Sequence, residues 1–147
     1  MANKERFKLI PSVYAFFIKD EKILLSRRLN TGFEDGNYGL PSGHAEENES
    51  FIQATIREAF EEVGVKINPN DLDLVVTMHR WCGDHERVDF FFTVKAWNGE
   101  IKNMEQDKCD DLTWFPLTEL PQNTIPYIKE AISCYLNGKI YSEFGWN

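Results

Sequence analysis

Residues 50–63 restrict the fold more than any other stretch of this chain. Ser50 and Gln53 stand at capping-box spacing and Gly64 supplies a stop, so the segment predicts a helix. On a wheel at about 100° per residue, Ile52, Ile56, Ala59, Phe60 and Val63 share one arc of roughly 100°. Glu58, Glu61 and Glu62, spaced i, i+3, i+4, fill the neighbouring arc. One face is therefore expected to pack while the next presents three carboxylates. Two such charges about 5 Å apart repel by roughly 3 kcal/mol at an effective dielectric of about 20. The repulsion is below about 1 kcal/mol when both are solvated. From these three residues alone, a solvated acidic face is the simpler reading. A site for a hard, oxygen-seeking divalent cation is the alternative.

The remaining elements surround that helix. Val13–Ile18 reads as a buried strand, with its hairpin partner at Lys22–Arg28 after a turn at Glu21. Residues 29–37 form a turn-rich loop. Leu72–Met78 predicts another strand. Val88, Phe90, Phe92, Val94 and Ala96 alternate with Asp89, Phe91, Thr93 and Lys95, a strand with one buried face. Leu112–Phe115 is a short strand. A second helix is expected over Thr124–Leu136, burying Ile128, Ala131, Ile132 and Tyr135. Strands on both sides of a helix, followed by a late second helix, give an α/β class with a mixed sheet between helices. There is no repeat, linker or low-complexity run, and 147 residues suit a single domain over 1–147.

Composition narrows the functional classes. Hydrophobic residues at 42% argue against disorder. A net charge of -8 disfavours nucleic acid polymers and anionic membranes as partners. It also means that a polyanionic ligand needs local help from cations or placed arginines. The start Met1–Arg6 is charged with no apolar stretch behind it, and no run approaches membrane-spanning length, so a cytoplasmic location is expected. Cys82, Cys109 and Cys134 form no pair or zinc pattern and read as free thiols.

The residues around the acidic helix decide between its two readings. Gly43-His-Ala-Glu-Glu-Asn-Glu49, seven residues, then Arg57-Glu-Ala-Phe-Glu-Glu-Val-Gly-Val65 resembles the Nudix box, G-x5-E-x7-R-E-U-x-E-E-x-G-U, with U a bulky aliphatic residue. All seven fixed identities match, and Ala59 at a U position is a mild departure. Tyr38-Gly-Leu-Pro-Ser-Gly43 resembles the W-x-L-P-G-G lead-in, with Tyr for Trp and Ser for one Gly. The element order is similar to the Nudix α/β/α sandwich with a mixed β-sheet over nearly the whole chain.

That resemblance implies a hydrolase that uses one to three magnesium ions, with Mn2+ as a substitute, to cleave a diphosphate linkage in a nucleotide-like small molecule. It implies Glu61 and Glu62 as the main metal ligands, and Glu58 as a ligand or as the base for the attacking water. Arg57 would orient these glutamates, Glu49 would brace the loop, and the Gly43 carbonyl would add a ligand. Glu105, in the acidic loop 103–111, is similar to a later ligand of MutT-like members, although solvated loop charge is an equal reading. Arg28 matches a position that contacts phosphate or base. Tyr38, His44 and Asn123 are further substrate-binding candidates, though Asn123 also suits an N-cap. The MutT-like branch implies hydrolysis of a nucleoside triphosphate, oxidised ones included, to monophosphate and pyrophosphate. ADP-ribose or nucleoside diphosphate sugar hydrolysis and a catalytically silent nucleotide-binding domain are the alternatives. The end segment Tyr141, Phe144, Gly145 and Trp146 is expected on the chain's own domain, the other outcome being a homodimer contact.

Overall fold

A computed structural model describes residues 5–147, so Met1–Lys4 of the charged start lie outside the described residues. The centre is strand β1 (Ile10–Lys19), in which every residue from Ser12 to Phe17 is buried. Val13, Ala15 and Phe17 enter one core, and Tyr14 and Phe16 enter the other. Burial on both faces explains why this strand reads as an unbroken apolar run. Asp20 (φ 53) and Glu21 (φ 61) are both left-handed, the geometry of a type I′ turn that matches strand twist. It returns the chain into β2 (Lys22–Arg28).

Next come β3 (Tyr38–Gly39), β4 (Ser42–His44), helix α1 (Phe51–Val63), β5 (Leu72–Trp81), β6 (Glu86–Val94), β7 (Cys109–Pro116), helix α2 (Pro126–Leu136) and β8 (Tyr141–Phe144). The sheet runs β3-β2-β1-β6-β5-β8, with β4 paired to β1 and β7 to β2. The β1–β6 and β5–β8 pairs are parallel and the others antiparallel, so the expected mixed sheet is present. Helix α1 covers one face with Ala54, Ala59 and Val63. Helix α2 covers the other with Ile128, Ala131, Ile132 and Cys134. Cys134 is buried, Cys82 and Cys109 are half-buried, and all three are free. No helix among the described residues is long and apolar enough to cross a membrane.

The capping box and left-handed Gly64 stand where the sequence put them. The apolar arc stands in part. Ala59 and Val63 are buried and Ile56 packs against the core, but Ile52 is 37% and Phe60 52% exposed, and Ala54 and Thr55 are buried instead. Two alanines let the helix approach the sheet closely, and the Thr55 hydroxyl is satisfied by the Phe51 carbonyl at 2.8 Å. The inner face is thus rotated toward small residues.

Strand β6 departs from one-face alternation as well. Phe91 and Asp89 are fully buried because α2 covers the side expected to face solvent. Strand β5 runs on past the expected Met78 to Trp81. Helix α2 starts at Pro126 behind Ile125, which makes no side-chain cap, so Asn123 is not its N-cap. The C-terminal segment packs on its own sheet. β8 pairs with β5, and Trp146 Nε1 donates to the His79 carbonyl at 3.0 Å.

The rotated helix makes a testable contrast. Phe17→Ala should cost about 3–5 kcal/mol in urea unfolding, as expected for a fully buried aromatic. Phe60→Ala should stay within about 0.5 kcal/mol. Equal losses would show that the outer face of α1 packs after all.

Candidate active site

The acidic residues meet where α1 crosses the end of β4. Arg57 is the hub. Its Nε and Nη2 donate to Glu49 at 2.7 and 3.1 Å, Nη1 donates to Glu58 at 2.8 Å and Glu61 at 3.1 Å, and Nη2 donates to the His44 carbonyl at 3.1 Å. The Glu49 hydrogen bond, acting against burial, holds the guanidinium charge even more firmly than usual. Glu49 also accepts from the Glu46 amide at 3.0 Å, which fixes the loop ahead of the helix. One side chain therefore joins the loop, β4 and two box carboxylates.

Glu62 sits deeper and accepts from the Ser42 amide at 3.0 Å. Burial and then the Glu58 charge push its carboxyl well above the usual range, and the Ser42 amide only partly offsets them. Burial raises Glu58 too, against the pull of Arg57. The two carboxyls stand close enough for each to shift the other's titration, and burial raises both. Gly43 stands against this pair. A Cβ at position 43 would overlap the Glu58 carboxyl, so a side chain there would push Glu58 out of its place.

These acids line a cavity of about 450 Å³ with Arg28, Ser42, Asn103, Glu105 and Lys108. Glu105 is held by its backbone. Its amide donates to Asn103 Oδ1 at 3.1 Å, and its carbonyl accepts from Lys108 and Cys109 at 2.9 Å. A second cavity of about 450 Å³ adjoins the first and shares Arg28, Ser42 and His44 with it. The structure thus brings Arg28, Gly43, His44, Glu58, Glu61, Glu62 and Glu105 around one continuous trough.

It leaves Tyr38 and Asn123 outside both cavities. Tyr38 is buried with its hydroxyl on Asp111, and its ring meets Phe115 edge-on at 5.0 Å. That hydroxyl, then Thr113, holds the Asp111 carboxyl below its usual range. Asn123 donates to the Gly36 carbonyl at 2.8 Å and so pins the 29–37 loop. For both, a structural bond occupies the polar atom that a substrate would need. His44 Nε2 meets an Arg87 Nη1 at 2.8 Å, and burial, then the Arg87 charge, keeps the ring below its ordinary value. It is therefore neutral at pH 7.

Sequence reasoning passed over Arg80, Arg87, Lys108 and Phe33. The signal for two of them was present. His79, Arg80, His85 and Arg87 concentrate basic side chains within nine positions of an acidic chain.

A hard divalent cation fits this donor set. Carboxylate oxygens of Glu58 and Glu62 converge in a partly desolvated place where burial disfavours their charged forms, and a cation would favour them. Among the described residues no three acidic, histidine or cysteine side chains stand at metal-ligand spacing. As the chain stands, Arg57 holds Glu58 and Glu61, and the Ser42 amide holds Glu62.

The NUDIX domain family model matches residues 8–134. Phosphatase NudJ of Escherichia coli K12 is 26% identical over 119 residues, covering 74% of this chain and 76% of the relative. The MutT NUDIX hydrolase of Burkholderia pseudomallei superposes with a TM-score of 0.78 at 26% identity, over 86% of this chain and 98% of that one. A NUDIX hydrolase of Nitrosomonas europaea gives 0.69 at 27% identity, over 91% and 93%.

The raised Glu58–Glu62 pair sets a pH dependence. A carboxyl raised in the folded state contributes stability below its unfolded value near 4.5, and that stability is lost as pH rises through the folded value. In chelator, Glu62→Gln should therefore melt higher than the wild type at pH 8, by about 2–4 °C for each kcal/mol relieved. The gap should close as the pH falls toward 4.5. Added Mg2+ should raise the melting temperature of the wild type more than that of the variant. Scanning calorimetry across pH checks this, and a variant that melts lower at pH 8 would remove the buried-charge account.

Proposed function

Because this chain belongs to the Nudix hydrolase family, we propose that it hydrolyses nucleoside triphosphates, oxidised ones included, to nucleoside monophosphate and pyrophosphate. The family acts on nucleoside diphosphates linked to another group, and its members generally need a divalent metal. The observation that carries the finer reading is the placement of Glu58, Glu61, Glu62 and Glu105 opposite the cationic Lys108 on one cavity. Relatives bearing the names MutT and phosphatase NudJ support phosphate chemistry at that place.

Glu58, Glu61 and Glu62, with the Gly43 backbone and Glu105, would hold Mg2+ or Mn2+. The cation supplies Lewis-acid neutralisation of the diphosphate oxygens when bound. The chain's own residues do the rest. Arg57 fixes the rotamers of Glu58 and Glu61, so their carboxylates are positioned before substrate arrives. Burial lifts Glu58 toward the operating pH, which suits a general base. Ionised, it accepts a proton from water as the water oxygen bonds to one phosphorus. The bond from that phosphorus to the bridging oxygen breaks, and the oxygen leaves with its electron pair on the neighbouring phosphate. Lys108 approaches the phosphates from the wall facing the acids and favours the charge that develops there.

With Mg2+ and a panel of nucleoside triphosphates, the expected products are monophosphate and pyrophosphate, read by 31P NMR. Glu58→Gln and Glu62→Gln should each lower kcat by about 10²–10⁴-fold. Exclusive cleavage of ADP-ribose or a nucleoside diphosphate sugar into two monophosphate-bearing products would replace the triphosphate reading. Binding without turnover of any diphosphate would reduce the chain to a nucleotide-binding domain.

A further inference from the structure

The end of the trough away from Glu58 is strongly basic, and the reaction above does not use that charge. Arg80 on β5 and Arg87 on β6 stand directly opposite each other in the antiparallel register. Like charges so placed destabilise a strand pair unless something compensates them. One carboxylate lies among them, and it is fully engaged. Asp89 accepts from Arg80 at 2.7 and 3.2 Å and from the Tyr14 hydroxyl at 3.0 Å. The Arg80 guanidinium also lies 3.7 Å from the centre of the Tyr127 ring. Arg80 is thus neutralised within the cavity floor.

Arg87 and Arg28 are not. Arg87 donates to His85 Nε2 at 2.9 Å and contacts His44 Nε2 at 2.8 Å and Ser12 Oγ at 3.4 Å, none of them a carboxylate. Asp84 reaches it only through His85, at 2.6 Å from that ring's Nδ1. Arg28 donates Nε to the Phe33 carbonyl at 2.7 Å, with its guanidinium 5.4 Å from the Phe33 ring centre. Among the described residues no carboxylate stands within ion-pair distance of either guanidinium. Two uncompensated positive charges therefore face one cavity in a chain whose net charge is -8.

We propose that this second chamber is an oxyanion site, in which Arg28 and Arg87 hold a phosphomonoester carried by the substrate at the end away from the scissile diphosphate. The proposal rests on the reading of the acidic cavity as the diphosphate site. Among the described residues Arg28 has Nη1 and Nη2 and Arg87 has Nη2 without a hydrogen-bond partner, donors from two walls that suit one tetrahedral oxyanion. An uncharged base in the same place would leave both charges partly desolvated and unpaired. The two cavities adjoin across Arg28, Ser42 and His44, so a single substrate would occupy both.

Inorganic phosphate in chelator is the first probe, because the acidic cavity then repels anions and binding reports the basic chamber. Titration calorimetry of the wild type should give salt-sensitive, millimolar-range binding. Arg87→Gln should weaken it about tenfold or more, and Arg87→Lys should recover part of the loss. No binding by the wild type, or equal binding by Arg87→Gln, overturns the site. The second arm separates a substrate phosphate from a free one. With Mg2+, hydrolysis of a nucleoside triphosphate and of the same nucleotide bearing a 3′-phosphate, which differ by one phosphomonoester, is compared. Arg87→Gln should lower the ratio of kcat/KM for the 3′-phosphorylated over the plain triphosphate by about tenfold. An unchanged ratio with phosphate binding intact overturns the substrate assignment in favour of a free oxyanion. Phosphate binding that depends on Arg87, with no hydrolysis of any diphosphate, would sink the proposed hydrolase reading and leave the oxyanion chamber standing.

Discussion

The site depends on Arg57. Its guanidinium is the one cation among Glu46, Glu49, Glu58 and Glu61, and it reaches the His44 carbonyl as well. Without it, four carboxylates and a carbonyl dipole would converge with no compensation, and the loop before α1 would have no anchor on the helix. A lysine could supply the charge but not five directed donors. The geometry explains why the residue between Ile56 and Glu58 has to be a planar, forked cation. It also explains why the turn 45–50 can be irregular and still hold one position.

Arg57 does not reach Glu62, and that division gives the site its character. Glu58 and Glu61 are held by an internal cation, whereas Glu62 is held by a backbone amide alone. A guanidinium bound to five groups stays in place when a divalent ion approaches. A cation at the Glu62 end would therefore leave intact the scaffold that aims the remaining acids. At the other end, Arg28 and Arg87 repeat the pattern with the opposite sign. On the proposed reading, an acidic chain would take a polyanion by keeping incompletely paired charge of both signs in adjoining cavities.

Much of this was legible in the sequence because local rules and spacing carried it. The capping box, the left-handed Gly64 and the i, i+3, i+4 glutamates depend on neighbours along the chain, and all three stand as expected. What depended on a third dimension was misread. The wheel placed Ile52 and Phe60 in the core with Ala59 and Val63, yet the sheet took Ala54 and Thr55 in their place, small residues that allow closer approach. Asp89 read as solvent-facing because alternation assumes one covered face, while α2 covers the second. Tyr38 and Asn123 looked available for substrate because a sequence cannot show that Asp111 and the Gly36 carbonyl take their polar atoms. The basic end escaped notice because Arg80 and Arg87 are brought together by strand register, which no motif encodes.

The two ends of the trough place unfavourable electrostatics where the fold can bear them. Glu58 and Glu62 lie at the junction of α1 with β4, braced by Ser42, Gly43 and Arg57. Arg87 lies near the start of β6, in the longest antiparallel pairing of the sheet, and Arg80 opposite it on β5 is paired with Asp89. The strand ladder secures that end, while at the acidic end the Ser42 amide and Arg57 hold the carboxyls themselves. The incompletely paired charges therefore cannot move apart without breaking those bonds. A ligand of opposite charge bound at either end would add stability through the folded state alone, since the unfolded chain separates the same groups. A fold that gave Arg87 a carboxylate partner and Glu62 a cation of its own would be more stable when empty and would hold an incoming ligand less firmly.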